Sequence, residues 1–164
     1  INKIRELNRK VEILVEYHDP PRPKEKPPEK QSTEELLQGD LKEGDKIQLE
    51  NILFRTGYSY LTKDSKKVLD NIAKILAERK DVYFTIEGHV CCTPGTRDAI
   101  DRKTKIRNLS VARARFVYDY LAKNGVNRRR MKFVGHRRKY PLGGAPELDR
   151  RVEILVTKID SSAN

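Results

Sequence analysis

The sequence has no apolar run near the roughly 20 residues that a membrane-spanning helix needs, so no such span is expected in this chain. It has only two cysteines, adjacent at Cys91-Cys92, which excludes a small scaffold stapled by several disulfides. Recognisable catalytic arrangements are also missing. There is no Gly-rich phosphate loop and no nucleophile elbow with an ordered Ser, His and Asp, and His18, His89 and His136 are scattered among different elements. An enzyme is therefore not expected, nor is a cofactor. No signal peptide precedes the first residue, and the chain opens at Ile1-Asn2-Lys3 without an initiator Met. That opening reads as a piece of a longer or processed protein.

What is abundant is charge. Of 164 residues, 36% are charged and 37% hydrophobic, with a formal net charge of +11. One core can be buried, not two. The densely ionic, basic surface should attract anions such as phosphate polymers, acidic glycans or anionic lipid surfaces. Two basic runs, Arg128-Arg129-Arg130 and His136-Arg137-Arg138-Lys139, have only Tyr140 beside them and lie in no nucleic-acid motif. They read as solvated turns around a short strand, and no nucleic-acid partner is expected.

The chain divides unevenly. Five of its eight prolines fall between Pro20 and Pro28, a composition that reads as an extended, solvated spacer. Residues 20–43 are accordingly expected to be linker, with at most one helical turn around Leu36-Leu37. Ahead of it, Glu6-Leu7-Asn8-Arg9-Lys10-Val11-Glu12-Ile13-Leu14-Val15 nearly repeats Glu147-Leu148-Asp149-Arg150-Arg151-Val152-Glu153-Ile154-Leu155-Val156. Residues 1–19 are therefore expected to be the closing strand of an upstream, possibly repeated, domain. Residues 44–160 form the globular part and 161–164 a tail.

Within 44–160 the apolar period alternates. Ile47, Leu49, Ile52, Leu53 and Phe54 suggest a strand, irregular near Glu50-Asn51 and ending at Gly57. Val68, Leu69, Ile72, Ile75 and Leu76 recur at helical spacing between Lys63 and Arg79. Val82, Phe84 and Ile86 alternate with polar neighbours as in a half-buried strand. A second helix, capped near Ser110, buries Ala112, Phe116, Val117, Tyr120 and Leu121 and stops at Gly125. Strands follow at Met131 to Val134 and at Val152, Ile154 and Val156. The expected fold is α+β, a β-α-β-α-β-β sandwich with two helices on one face of a mixed sheet.

Asn51-Ile52-Leu53-Phe54, Ile86-Glu87-Gly88-His89, Leu109-Ser110-Val111-Ala112-Arg113-Ala114 and Arg150-Arg151-Val152-Glu153-Ile154 occur in an order and spacing that resemble the OmpA-like C-terminal domain. The resemblance spans about residues 45 to 158. It implies a non-catalytic module that binds peptidoglycan in the periplasm and tethers an outer-membrane-associated protein to the wall of a Gram-negative cell. The ligand it implies is the stem peptide, whose diaminopimelate carries an ammonium and a carboxylate on one carbon. By this resemblance Arg113 is the carboxylate-binding arginine, suited by its planar fork. Asn108 and Ser110 border the site more as caps than as ligands, and one of Arg150 and Arg151, with Arg151 the candidate, points to the site.

The sequence departs from the family at one position. Where Gly-His-Thr-Asp is usual, it reads Gly88-His89-Val90-Cys91, so Cys91 stands at the ammonium-binding aspartate. Three outcomes remain open: Asp98 or Asp101 supplies the carboxylate from the following loop, a different wall fragment binds through Arg113 alone, or the domain has become an interaction scaffold for other envelope proteins. Asp98 and Asp101 also read as ordinary loop charges paired with Arg97, Arg102 or Lys103. Cys91 and Cys92 could close a vicinal disulfide or remain thiols. Zinc held by both with His89 and His136 is disfavoured, because adjacent cysteines splay poorly around a tetrahedral ion.

Overall fold

The computed structural model describes residues 31–162. The repeated segment 1–19 and the proline cluster lie outside the described residues. The folded unit starts before the expected boundary at residue 44. Helix α1, Thr33–Gln38, opens with a capping box in which the Ser32 side chain and the Glu35 backbone and carboxylate satisfy each other. Leu37 is fully buried, and the Thr33 hydroxyl bonds the backbone of Gln48 and Glu50. A short apolar patch in polar surroundings reads as linker, yet Leu37 is a core residue.

Strand β1 is Lys46–Gln48, helix α2 Lys63–Glu78, strand β2 Val82–Gly88, helix α3 Leu109–Lys123, strand β3 Met131–Gly135 and strand β4 Val152–Ile159. The sheet order is β1-β4-β2-β3. β4 runs antiparallel to both β1 and β2, whereas β2 and β3 are parallel, and parallel neighbours need a crossover, here α3. The α+β sandwich with helices on one face is thus the observed fold. Val82, Phe84, Ile86, Val152, Ile154 and Val156 meet Leu69, Ile72, Leu76, Val117 and Leu121 in one core.

Two elements differ from the sequence reading. The first strand ends at Gln48, not beyond Phe54, because Asn51 takes a left-handed φ of 61°. The Ser65 hydroxyl at the start of α2 accepts from Leu53 N and donates to Asn51 O, replacing ladder bonds. The buried stripe of α3 is also rotated: Ser110, Arg113, Ala114, Val117 and Leu121 face inward, while Phe116 and Tyr120 pack at its margin. Apolar counting misses a stripe whose first turns carry a serine and an arginine.

Glycine makes this docking tolerable. Gly88 and Gly135 pair across β2 and β3. A Cβ on Gly88 would overlap the Ser110 carbonyl, and one on Gly135 would overlap Ser110 and Val111. The two strand ends therefore form a floor on which the first turn of α3 sits in backbone contact. Gly88→Ala should lower the stability by about 3 kcal/mol, measured by urea denaturation, whereas Gly143→Ala, with open space at its Cβ position but a φ of 81°, should lose less.

Candidate functional site

The start of α3 is held by an acid twelve residues earlier in the chain. Asp98 Oδ1 accepts from Ser110 N at 3.0 Å, and Oδ2 accepts from the Ser110 hydroxyl at 2.5 Å. That hydroxyl in turn accepts from Arg137 N at 3.2 Å. Asn108, at the N-cap position, makes no side-chain cap bond, so Asp98 does the capping.

Arg113 follows one turn later. It is 3% exposed, its Nε donates to the Tyr58 carbonyl at 3.2 Å, and its guanidinium lies 5.1 Å from the centroid of the Phe54 ring. Among the described residues no carboxylate comes within ion-pair distance of it. Burial, and then the like charge of Arg150, bring its pKa down to about 10, leaving it a cation at neutral pH. A buried cation without a counter-ion is costly and suits a site that receives an anion.

Arg113 borders two adjoining clefts of about 350 and 390 Å³. Both are also lined by Thr56, Glu147 and Arg150. The first contains Cys91 and Cys92, the second Phe54 and Arg55. Cys91 is half-buried, and desolvation with the neighbouring Cys92 thiol pushes its pKa up to about 11. It is a neutral thiol at physiological pH, unable to replace a carboxylate.

A fold of this form has relatives. The model of the OmpA family matches residues 53–154. The chain belongs to the OmpA family. No match is found among curated protein sequences. Among solved structures it is similar to the periplasmic domain of Helicobacter pylori MotB, at 22% identity over 73% of this chain and 79% of that one, with a TM-score of 0.59. The cell wall anchor of the type VI secretion system from Pseudomonas aeruginosa aligns at 24% identity, over 69% and 79%, with a TM-score of 0.55. An outer membrane protein from Borrelia burgdorferi B31 aligns at 25% identity, over 73% and 95%, with a TM-score of 0.52.

Within this OmpA-family domain several expected ligands have other duties. Asp98 is the helix cap. Asp101, 1% exposed, accepts from Lys103 N at 2.9 Å and from the Ser59 hydroxyl at 3.4 Å. Neither acid lines the clefts, because the loop closes on itself through both carboxylates. Arg151 also points elsewhere: its Nε donates to Glu153 Oε1 at 2.7 Å and Nη2 to the Tyr140 carbonyl at 3.1 Å. Arg150, at the bend between the turn Pro146–Asp149 and β4, lines the cleft instead. Cys91 and Cys92 stand as free thiols in this structure; bridging sequence neighbours would force the intervening peptide out of its ordinary geometry.

Glu147 was not found by sequence reasoning. It sits on the short turn Pro146–Asp149, and its only sequence signal is its position three residues before Arg150. His89 and His136, disfavoured in the sequence as zinc ligands with the cysteines, face carboxylates instead. His89 Nε2 lies 3.1 Å from Glu153 Oε2, and His136 Nε2 lies 3.0 Å from Glu87 Oε1. His89, then Arg151, hold the Glu153 pKa down at about 2 against the penalty of its burial.

Two outcomes are expected. Asp98→Ala should destabilise the domain by about 2 kcal/mol, through loss of the cap and of partners for buried Ser110 groups, read by thermal or urea unfolding. Since Glu153 is more acidic folded than unfolded, its contribution is complete above about pH 4.5 and lost as pH falls toward 2. Urea titrations across this window should show about 2 kcal/mol less acid destabilisation in Glu153→Gln than in the parent.

Proposed function

We propose that this is a non-catalytic peptidoglycan-binding domain that tethers an envelope component to the cell wall through the diaminopimelate of the stem peptide. The observation that carries this reading is Arg113, a buried cation with no carboxylate partner among the described residues, opening onto a cleft that also holds Arg150 and Glu147. The ligand carboxylate takes the two-pronged guanidinium of Arg113, with Arg150 adding long-range attraction. Glu147 takes the ammonium, the task for which Cys91 has no charge.

Family membership and the likeness to a periplasmic domain and a cell wall anchor support the reading. They also support a periplasmic, envelope-associated location. Neither Asp98 nor Asp101 is required as the replacement acid, since Asp98 is spent on the Ser110 amide and hydroxyl at the start of α3 and Asp101 on Lys103 N and the Ser59 hydroxyl.

Sedimentation with purified sacculi tests this directly. The parent chain should co-sediment, and Arg113→Ala should weaken binding by about 10- to 100-fold, the value of one charge-assisted contact. Glu147→Gln should weaken it about tenfold, and Cys91→Ser should leave it unchanged. Circular dichroism confirms that each variant is folded. A parent chain that stays in the supernatant would sink wall binding and leave a protein-contact scaffold. Loss on Asp98→Asn but not on Glu147→Gln, in folded protein, would remove Glu147 from the site.

A further inference from the structure

On the face of the sheet turned away from the helices, two acids oppose each other. Glu87 of β2 and Glu153 of β4 are direct partners in an antiparallel pair, and they are 4% and 8% exposed. Like charges in this position repel, and neighbouring cations answer part of that repulsion. Each carboxylate spends one oxygen on a cationic side chain. Lys46 Nζ lies 3.0 Å from Glu87 Oε2, and Arg151 Nε donates to Glu153 Oε1 at 2.7 Å. The other oxygens, Glu87 Oε1 and Glu153 Oε2, face two imidazoles.

Those imidazoles are placed by the strand ends. Gly88 and Gly135 are in register, so His89 and His136 emerge side by side, their ring centroids 5.3 Å apart. His89 is 2% exposed, yet neither of its ring nitrogens has a hydrogen-bond partner, and His136 Nε2 has none either. The 3.0 and 3.1 Å contacts to the carboxylates are close but not aligned as hydrogen bonds. A buried imidazole left in this state is unfavourable.

A metal ion accounts for both the closeness and the misalignment. With bonds of about 2.0–2.1 Å to imidazole nitrogen and carboxylate oxygen, the ligand atoms of a tetrahedral ion stand about 3.3 Å apart. Such a contact is an edge of the polyhedron, and each donor axis points at the ion rather than at the next ligand. One ligand atom from each of Glu87, His89 and Glu153 falls within a set whose members all lie within 4.8 Å of one another; His136 stands outside that set and touches it at Glu87 Oε1, 3.0 Å away.

We propose that Glu87, His89, His136 and Glu153 form a site for a divalent transition-metal ion of the zinc class, separate from the Arg113 cleft. Two neutral imidazoles and two carboxylates match that class in ligand type. Lys46 and Arg151 hold the remaining carboxylate oxygens as outer-shell partners. His136 borders an open cavity of about 410 Å³ together with Gly135 and Lys139, which offers a way in. The bound ion would tie the ends of β2, β3 and β4 together.

The test uses the full chain carrying Cys91→Ser and Cys92→Ser, so that thiolates cannot contribute. Zn2+ is titrated by calorimetry, and Co2+ by its visible absorption, which is intense only for tetrahedral coordination. Nitrogen-detected imidazole spectra assign the ligands. One metal per chain should bind, shifting the Nε2 signals of His89 and His136 but not those of His18. His136→Ala, at the more exposed ligand, should weaken binding by at least the roughly 10- to 100-fold typical of an outer-shell change. Absence of binding in the thiol-free chain, binding that moves only His18, or affinity unchanged in folded His136→Ala would each overturn the site.

Discussion

The architecture turns on one close approach: the first turn of α3 resting on Gly88 and Gly135. Backbone lies against backbone there, and Ser110 is fully buried between the two strand ends. A buried hydroxyl and a helix N-terminus both need acceptors. Asp98 supplies them from the loop before the helix, and the Ser110 oxygen accepts from Arg137 in return. One carboxylate thus joins the 98–108 loop, α3 and the segment leaving β3.

This docking sets the chemistry on either side. One helical turn on, Arg113 is carried inward to the Tyr58 carbonyl and the Phe54 ring, so its charge is buried by geometry that Ser110 and the glycines impose. Beyond Gly88 and Gly135, the chain leaves the sheet with His89 on the far face and Cys91 on the cleft side. The end of β2 therefore divides an unbalanced cationic cleft from a set of two buried acids, the buried His89 and the half-buried His136. Arg150 and Arg151, adjacent in sequence just ahead of β4, are divided the same way, one in the cleft and the other bonded to Glu153.

Much of this was legible beforehand. The alternating periods of 82–86 and 152–156 and the helical spacing of 68–76 come from side chains buried in one apolar layer, a pattern that survives in a linear reading. Arg113 was legible through its place in a motif. The roles of Asp98 and Asp101 were not, since a loop acid that caps a helix and one that binds a ligand have the same sequence signature. Leu37 was hidden because one buried leucine in a six-residue helix has no period, and Asn51 because a single left-handed residue ends a strand without changing its composition.

The sequence alone determined the order of elements, the face each strand buries, the family resemblance and the absence of an acid at Cys91. These depend on local periodicity and on residue identity. Only the tertiary structure decided that Glu147 and Arg150 share the Arg113 cleft, that Asp98 is committed to α3, and that Glu87 and Glu153 face each other beside His89 and His136. Those relations join residues far apart in the chain, and strand register and helix docking, not neighbouring residues, set the distances between them.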